Sequence, residues 1–127
     1  MTLYINTVSA DEMTVALRDG VKIIARKVIA ARRRQGEKLI PAIAALLKKK
    51  KLKLSALDDV VVASRGGSFT SLRIGVIAAN ALAYALNIPV RAEVPAPGRR
   101  KKFGRHALVE AIYDRAPDIG KPKKFGL

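Results

Sequence analysis

The stretch from residue 58 to residue 94 constrains the fold of this chain more than any other part. Its apolar run Val60-Val61-Val62-Ala63 is rich in β-branched residues, which is typical of a strand buried on both faces of a parallel sheet. A short loop, SRGGSFTS, follows, and a long run with a single charge then leads to Asn87. The exit Ile88-Pro89-Val90 opens another short apolar run. The stretch therefore predicts a strand, a loop, a helix and a strand in direct succession.

The loop has the composition of an anion-binding turn. Its glycines permit a tight turn and a close approach of the backbone, and a serine or threonine hydroxyl can accept a hydrogen bond from a free N–H at the helix start. Free N–H groups and the helix dipole together favour an anion there. We expect the anion contacts to come from Gly66, Gly67, Ser68, Thr70 and Arg73. A tight connection that binds no ligand is the simpler alternative.

The helix predicted from about residue 70 to residue 86 is apolar nearly all round. Arg73, Asn80 and Asn87 fall in one narrow polar stripe, because they are spaced seven residues apart. A helix of this kind is buried on several sides or is covered by a partner. The small residues Gly75, Ala79 and Ala83 recur every four positions, so another backbone can approach that ridge closely. A core helix and a core helix that also forms an interface both fit this pattern.

The first half of the chain predicts three antiparallel strands and a helix. The strands are expected at residues 3–7, 14–18 and 21–28, with Asp19-Gly20 as a hairpin turn between the second and the third. A helix is expected from about residue 37 to residue 49, and four of its apolar residues share one face. These residues are Leu39, Ile43, Leu46 and Leu47.

The predicted element order β-β-β-α-β-α-β is that of one lobe of an actin-like, or ribonuclease H-like, fold. We therefore expect an α/β fold with a mixed sheet that holds helices against at least one face. This lobe should occupy residues 1–94. Residues 95–127 should form a basic linker, a short helix at about residues 105–113 and a C-terminal tail without regular structure.

The net charge of +15 over 127 residues is extreme. Such a charge attracts nucleic acid, because phosphate contacts release counterions, although a solvated basic surface is the plainer interpretation. Candidate RNA contacts are Arg32, Arg33, Arg34, Arg99, Arg100, Lys101 and Lys102.

The sequence offers little support for catalysis. The first strand carries Asn6 where a nuclease of this fold class often has a metal-binding Asp, and His106 is the only histidine. Because the chain has no cysteine, disulfides and thiolate metal sites are excluded. We expect no catalytic residue, no metal site and no cofactor. The start of the sequence lacks the pattern of a signal peptide, and we expect a cytoplasmic protein.

Several motifs, spread along the chain in the same order, resemble those of one protein family. Ser68-Phe69-Thr70 and Leu72-Arg73-Ile74-Gly75 resemble the SFTGLRIG motif of the TsaB (YeaZ-type) family. Supporting matches are YINT to AIDTS, QGEKLIP to HSERLLP, ALAYALNIPV to GLALALGIPL, and YDRAP to the Y-x-R-x-P motif near the family's C-terminus. The resemblance covers about residues 3–94 and the tail.

The resemblance implies an actin-like fold and a role in the bacterial synthesis of threonylcarbamoyladenosine in tRNA. It implies a non-catalytic scaffold that pairs through its helices with the catalytic TsaD subunit and assembles with the ATPase TsaE. Transferred to this chain, the interface would consist of Leu39, Ile43, Leu46, Leu47, Gly75, Ala79, Leu82 and Ala83. Because this surface is apolar, the chain alone should form a homodimer.

The sequence also departs from the family motifs. Asn6 replaces an Asp, Val8 a Ser and Gln35 a His, and the loop GPGSFTG loses two glycines and a proline. The second lobe usual in the family has no counterpart, which indicates a minimised member. Nucleotide contact is therefore expected only in a site shared with a partner. A small basic RNA-binding or ribosome-associated protein is the alternative to the scaffold.

Overall fold

A mixed sheet carries two helices on one of its faces. The structure is a computed structural model and describes residues 1–64 and 69–93. The strands are β1 (Thr2–Asn6), β2 (Glu12–Asp19), β3 (Lys22–Ala30), β4 (Asp59–Val62) and β5 (Val90–Ala92). The helices are α1 (Gln35–Lys49) and α2 (Phe69–Leu86), and a 3-10 turn (Leu54–Ala56) precedes β4.

The strand order in the sheet is β3-β2-β1-β4-β5. The first three strands form an antiparallel meander, whereas β4 runs parallel to β1 and β5 runs parallel to β4. The predicted element order and the predicted mixed sheet are confirmed, and the architecture is that of one actin-like lobe. The carboxyl ends of β1 and β4 lie side by side at one edge, which is where α/β sheets bind ligands.

The hairpin between β2 and β3 is displaced by one residue from its prediction. Asp19 pairs with Lys22, so the two turn residues are Gly20 and Val21 and not Asp19 and Gly20. Gly20 has a φ of +64°, and a glycine at the first turn position is typical of a type II′ hairpin turn.

The core lies between the sheet and the two helices. Leu3 and Ile5 alternate with partly buried residues in β1, so one face of that strand packs against the helices. Val60, Val61 and Val62 are all buried, which confirms the prediction of a fully buried strand. Both faces of β4 are therefore removed from water, as in the centre of a parallel sheet.

Both helices end in the same left-handed turn. Lys51 follows α1 with a φ of 56°, and Asn87 follows α2 with a φ of 57°. After α2, the Asn87 N–H donates to the Tyr84 carbonyl and the Ile88 N–H donates to the Ala83 carbonyl, which is the Schellman pattern. Asn87 therefore caps the helix, and Asn80 is buried, so the predicted polar stripe is not a solvent-facing line.

Three predicted features fall outside the described residues: most of the glycine loop, the helix at residues 105–113 and the basic tail. Within the described parts of the chain, neither helix is long and apolar enough to cross a bilayer.

Candidate functional site

A buried polar cluster joins β1, α1 and α2 at the carboxyl edge of the sheet. The Thr7 hydroxyl donates to the Ser71 carbonyl at 2.6 Å and accepts from the Gly75 N–H at 3.0 Å. These two backbone groups lie four residues apart in α2, so the hydroxyl bridges a pair that belongs to the helical hydrogen-bond ladder. The end of β1 is thereby attached to the first turns of α2.

Gln35 attaches the start of α1 to the same cluster. Its side chain is buried, and its Nε2 lies 3.0 Å from Ser71 Oγ and 2.9 Å from the Ser9 and Ala10 carbonyls. A buried amide without partners is costly, so these contacts make the position of α1 specific. Gln35, Ser71 and Thr7 together fix both helices relative to the sheet.

Gly75 is required by the proximity of Thr7. A Cβ added to Gly75 would overlap Thr7 Oγ1 and lie 3.2 Å from Thr7 Cγ2. The small-residue ridge does permit a close approach, as the sequence indicates, but the approaching group is the side chain of Thr7, directly after β1 of the same chain. Ala79 and Ala83 continue this ridge, and both are buried in the core.

The residues of the predicted partner interface lie mostly in the core of this chain. Seven of its eight residues are buried, and Leu82 is partly buried. The inward-facing residues are Leu39, Ile43, Leu46, Leu47, Gly75, Ala79 and Ala83. The apolar periodicity therefore identifies the face that packs on the sheet, and contact of these side chains with a partner stays a prediction.

The opposite faces of the same helices are also apolar and are exposed. Ile40 is 54% exposed, Ile77 44% and Tyr84 65%. We call this surface the helix face, and it consists of Ile40, Pro41, Ala45, Ile77, Ala81, Tyr84 and Ala85. Because α1 and α2 pack side by side on one face of the sheet, these residues form neighbouring strips. Their signal in the sequence is the absence of charge between Lys38 and Lys48 and after Arg73.

The predicted anion contacts are placed only in part. Gly66, Gly67 and Ser68 lie outside the described residues. Thr70 is exposed in the first turn of α2, and Arg73 is partly buried and makes an interaction of its own. The nucleotide contact therefore stays a prediction.

Ser64 is a candidate site residue that no motif in the sequence indicates. It follows β4 at the carboxyl edge, it is 1% exposed, and its hydroxyl has no hydrogen-bond partner among the residues that the structure describes. A buried hydroxyl without a partner is uncommon, and this one lies at the edge where sheets of this kind bind ligands.

On the sheet face away from the helices, Tyr4 is the centre of a polar network. Its hydroxyl donates to Glu93 Oε1 and accepts from Asn6 Nδ2, each at 3.0 Å, and the Arg18 guanidinium lies 5.7 Å from the ring centroid. Burial, followed by the hydrogen bond to Glu93, raises the pKa of Tyr4 to about 12. The neutral phenol is the stabilised form because it is partly desolvated and donates to a carboxylate.

The basic residues of the β3–α1 connection are exposed. Arg32 and Arg33 adopt φ values of 45° and 65°, and their N–H groups donate to the Asp11 and Ala10 carbonyls at 3.1 and 2.7 Å. Arg34 forms an ion pair with Glu37 at 3.2 Å. The other predicted RNA contacts, Arg99, Arg100, Lys101 and Lys102, lie outside the described residues.

Comparison with known proteins agrees with this geometry. Residues 24–93 match the family model described as TsaD, tRNA N6-adenosine threonylcarbamoyltransferase, which is more than half of the chain. The tRNA threonylcarbamoyladenosine biosynthesis protein TsaB of Bacillus subtilis (strain 168) is 31% identical over 116 residues. The chain belongs to the TsaB (YeaZ-type) family. The resemblance read from the motifs is thus confirmed.

Other relatives are similar to the chain over part of their own length. YeaZ from Pseudomonas aeruginosa has a solved structure with a TM-score of 0.66 and 28% identity, which covers 72% of this chain and 42% of that one. An uncharacterized protein of Mycobacterium tuberculosis (strain ATCC 25618 / H37Rv) is 37% identical over 76 residues, 60% of this chain and 36% of that protein. The B. subtilis match covers 90% of this chain and 50% of TsaB, so the chain spans about half the length of that relative.

Two departures from the TsaB motifs have structural uses in this chain. Asn6, which stands where the family has Asp, donates to the Tyr4 hydroxyl and accepts from the Val8 N–H at 2.9 Å. Gln35, which stands where the family has His, donates to the buried cluster. Among the described residues, no three His, Cys, Asp or Glu side chains converge as a metal site would need.

We predict that Gly75→Ala lowers the free energy of unfolding by about 1–3 kcal/mol, because its methyl group must displace α2 from Thr7. The same change should cost less in a Thr7→Ala background, where the overlapping atoms are gone. Urea unfolding of the two single variants and the double variant measures this coupling. An equal cost in both backgrounds would show that the Thr7 contact does not select glycine.

A second prediction concerns Tyr4. Its pKa lies near 10 in the unfolded chain and at about 12 in the folded chain, so between these values only the unfolded state loses the proton. The contribution of Tyr4 to the free energy of unfolding is fully present below pH 10 and is lost as pH rises toward about 12. Stability measured by urea unfolding should therefore fall more steeply above pH 10 in the wild type than in Tyr4→Phe. Identical slopes would contradict the raised pKa.

Proposed function

We propose that this chain is a non-catalytic subunit of the machinery that installs a threonylcarbamoyl group on adenosine of tRNA. It pairs with the catalytic, TsaD-type subunit through the helix face. The observation that carries the proposal is an exposed, charge-free surface on both helices of a TsaB-family lobe, with Ile40, Ile77 and Tyr84 each more than two-fifths exposed. A surface of this kind marks an interaction site.

The scaffold role is supported by how the polar side chains are used. Thr7, Asn6 and Gln35 are engaged with neighbouring groups of the chain itself, and none is left as an acid, base or nucleophile. The reaction then belongs to the partner, and this subunit contributes shape and position. A cytoplasmic location follows from a role in tRNA modification.

Binding of nucleotide would require a site completed by the partner. Ser64 and Thr70 lie at the carboxyl edge of the sheet with the glycine loop between them, and Arg73 follows in α2. Gly66, Gly67 and Ser68 would supply backbone N–H groups to a phosphate in such a shared site. A TsaE-type ATPase is the further partner of the assembly.

When no partner is present, the helix face is expected to meet a second copy of itself. Isologous pairing would bury Ile77 and Tyr84 of each copy on a two-fold axis. The proposal therefore includes a homodimer that competes with the mixed complex.

Co-elution with a TsaD-type protein tests the proposal. Ile77→Glu places a charge at the centre of the helix face, where a partner would bury it unpaired, and the loss of affinity should be at least tenfold, or about 1.4 kcal/mol or more. Size-exclusion chromatography and titration calorimetry of the two proteins measure it.

Val21→Glu is the matched control, since Val21 is fully exposed in the β2–β3 turn, far from the helix face in the sheet order. It should bind like the wild type. The proposal fails if wild-type chain and the TsaD-type protein never form a complex, or if both glutamate variants bind equally well.

A second candidate function, direct RNA binding, is favoured by one observation. Glu37 is the only acid between residues 22 and 53, and it is already paired with Arg34. The basic residues of this segment are Lys22, Arg26, Lys27, Arg32, Arg33, Arg34, Lys38, Lys48, Lys49, Lys50, Lys51 and Lys53. As β3 is an edge strand and α1 packs beside it, they share one side of the lobe.

RNA affinity should fall steeply with salt if that side contacts phosphates. The double variant Arg32→Ala/Arg33→Ala should reduce the slope of log affinity against log salt by about 1–2 in a tRNA gel-shift series. The control is Arg91→Ala, which removes a cation of β5 that is paired with Asp59 of β4. Equal losses in both variants, or no shift at low salt, would contradict this function.

A further inference from the structure

An open depression of about 630 Å³ lies where α1 ends and the chain turns back toward β4. Its lining is of two kinds. Aliphatic side chains come from Ala44, Leu47, Leu52 and Leu54, and the basic residues Lys48, Lys51 and Lys53 complete the lining. Leu47 is 4% exposed and the three lysines are exposed, so an apolar floor is surrounded by positive charge.

The backbone holds this depression in a defined shape. After the last turn of α1, the Lys51 N–H donates to the Lys48 carbonyl at 3.0 Å and the Leu52 N–H donates to the Leu47 carbonyl at 2.9 Å. Lys51 takes the left-handed conformation that this turn requires, which a residue with a side chain adopts at some cost. The site is therefore formed before any ligand arrives, which lowers the entropic cost of binding.

The positive charge around the floor is uncompensated within the described residues. No acid occurs between Lys38 and Leu57 in the sequence, and none pairs with Lys48, Lys51 or Lys53. The next acid, Asp58, pairs with the N-terminal ammonium group of Met1 at 2.6 Å. A C-terminal helix end favours cations, but this effect explains neither the exposed Leu54 nor the lysines beyond the last turn of α1.

We propose that this depression, which we call the lysine-rimmed groove, binds an acidic segment of a partner protein that carries an apolar anchor. Carboxylates satisfy the lysines and a leucine or phenylalanine covers the floor, as in complexes where an amphipathic helix lies in an apolar groove. The volume lies within the range of ordinary ligand sites. Leu54, 44% exposed in the free chain, becomes covered.

A nucleic acid fits this groove less well. Its phosphates would meet the lysines, but no aromatic or arginine side chain lines the groove to stack on a base. The aliphatic floor would then stay exposed. The proposal concerns a partner beyond the TsaD-type subunit and stands or falls separately from the helix face.

The test uses three fluorescein-labelled peptides of equal length and fluorescence anisotropy with the full chain. The first is an acidic helix-forming peptide with leucines at i, i+3, i+4 and i+7 and glutamates elsewhere; the second replaces the leucines by serines; the third scrambles the first. The first peptide should bind at least tenfold more tightly than the other two. Its affinity should fall at about 1 M salt, where charges are screened beyond about 3 Å.

Two variants locate the binding. Leu54→Gln, at an exposed position, should weaken the first peptide about tenfold, and Lys48→Glu/Lys53→Glu should weaken it more. The charge-matched control Lys22→Glu/Lys27→Glu on β3 should bind like the wild type, and circular dichroism confirms that each variant is folded.

Three outcomes would overturn the proposal. One is equal binding of the leucine-free peptide, and another is an equal loss in the β3 control, since both would mean attraction by net charge alone. The third is a duplex RNA that displaces the peptide and binds Leu54→Gln as tightly as the wild type, which would assign the groove to phosphates.

Discussion

The hydroxyl of Thr7 is the contact on which the arrangement of the lobe depends. It bridges the Ser71 carbonyl and the Gly75 N–H inside α2, and Gln35 reaches Ser71 from α1. One small polar cluster thus fixes two helices against the carboxyl edge of the sheet. Because the cluster is buried and its members are paired, loss of one member would leave the others unsatisfied, at a cost of about 1–3 kcal/mol each.

Once the helices are fixed in this way, their inward faces are committed to the chain itself. Leu39, Leu46 and Ala79 are each at most 2% exposed, so the surface left for other molecules is the outward side of the same helices. That side carries no charge along the helix face and ends in lysines beyond it. The lobe therefore presents an apolar surface and a strongly basic one next to each other, and the two proposals use them separately.

Much of the fold could be predicted from local patterns. The β-branched run at Val60 to Val62, the hairpin glycine and the apolar periodicity of α1 each depend on neighbours in the sequence, and each was assigned to the right kind of element. The actin-like order followed from these assignments, and the family motifs confirmed it. The turn lies one residue later than predicted. Both Asp19-Gly20 and Gly20-Val21 contain a glycine that can form a two-residue turn, so the sequence does not choose between the two pairs.

The site was harder to predict because its decisive contacts are distant in sequence. Gly75 and Thr7 are separated by 68 residues, and nothing local indicates that they touch. A helix that is apolar on every side gives no preferred inward face, so the sequence alone does not distinguish a small ridge that packs in the core from one that also meets a partner. The sequence does contain one signal of the contact at Gly75. A glycine in a helix interior destabilises the helix by about 1 kcal/mol relative to alanine, so its presence indicates that a neighbouring group leaves no space for a side chain.

The central claim, that the outward side of α1 and α2 meets a TsaD-type subunit, can be tested by site-specific photo-crosslinking. A photoreactive amino acid at position 77 should crosslink to the TsaD-type protein, and the same group at position 21, fully exposed in the β2–β3 turn, should not. Crosslinks from position 21 with none from position 77 would contradict the account, and equal yields from both positions would do so as well.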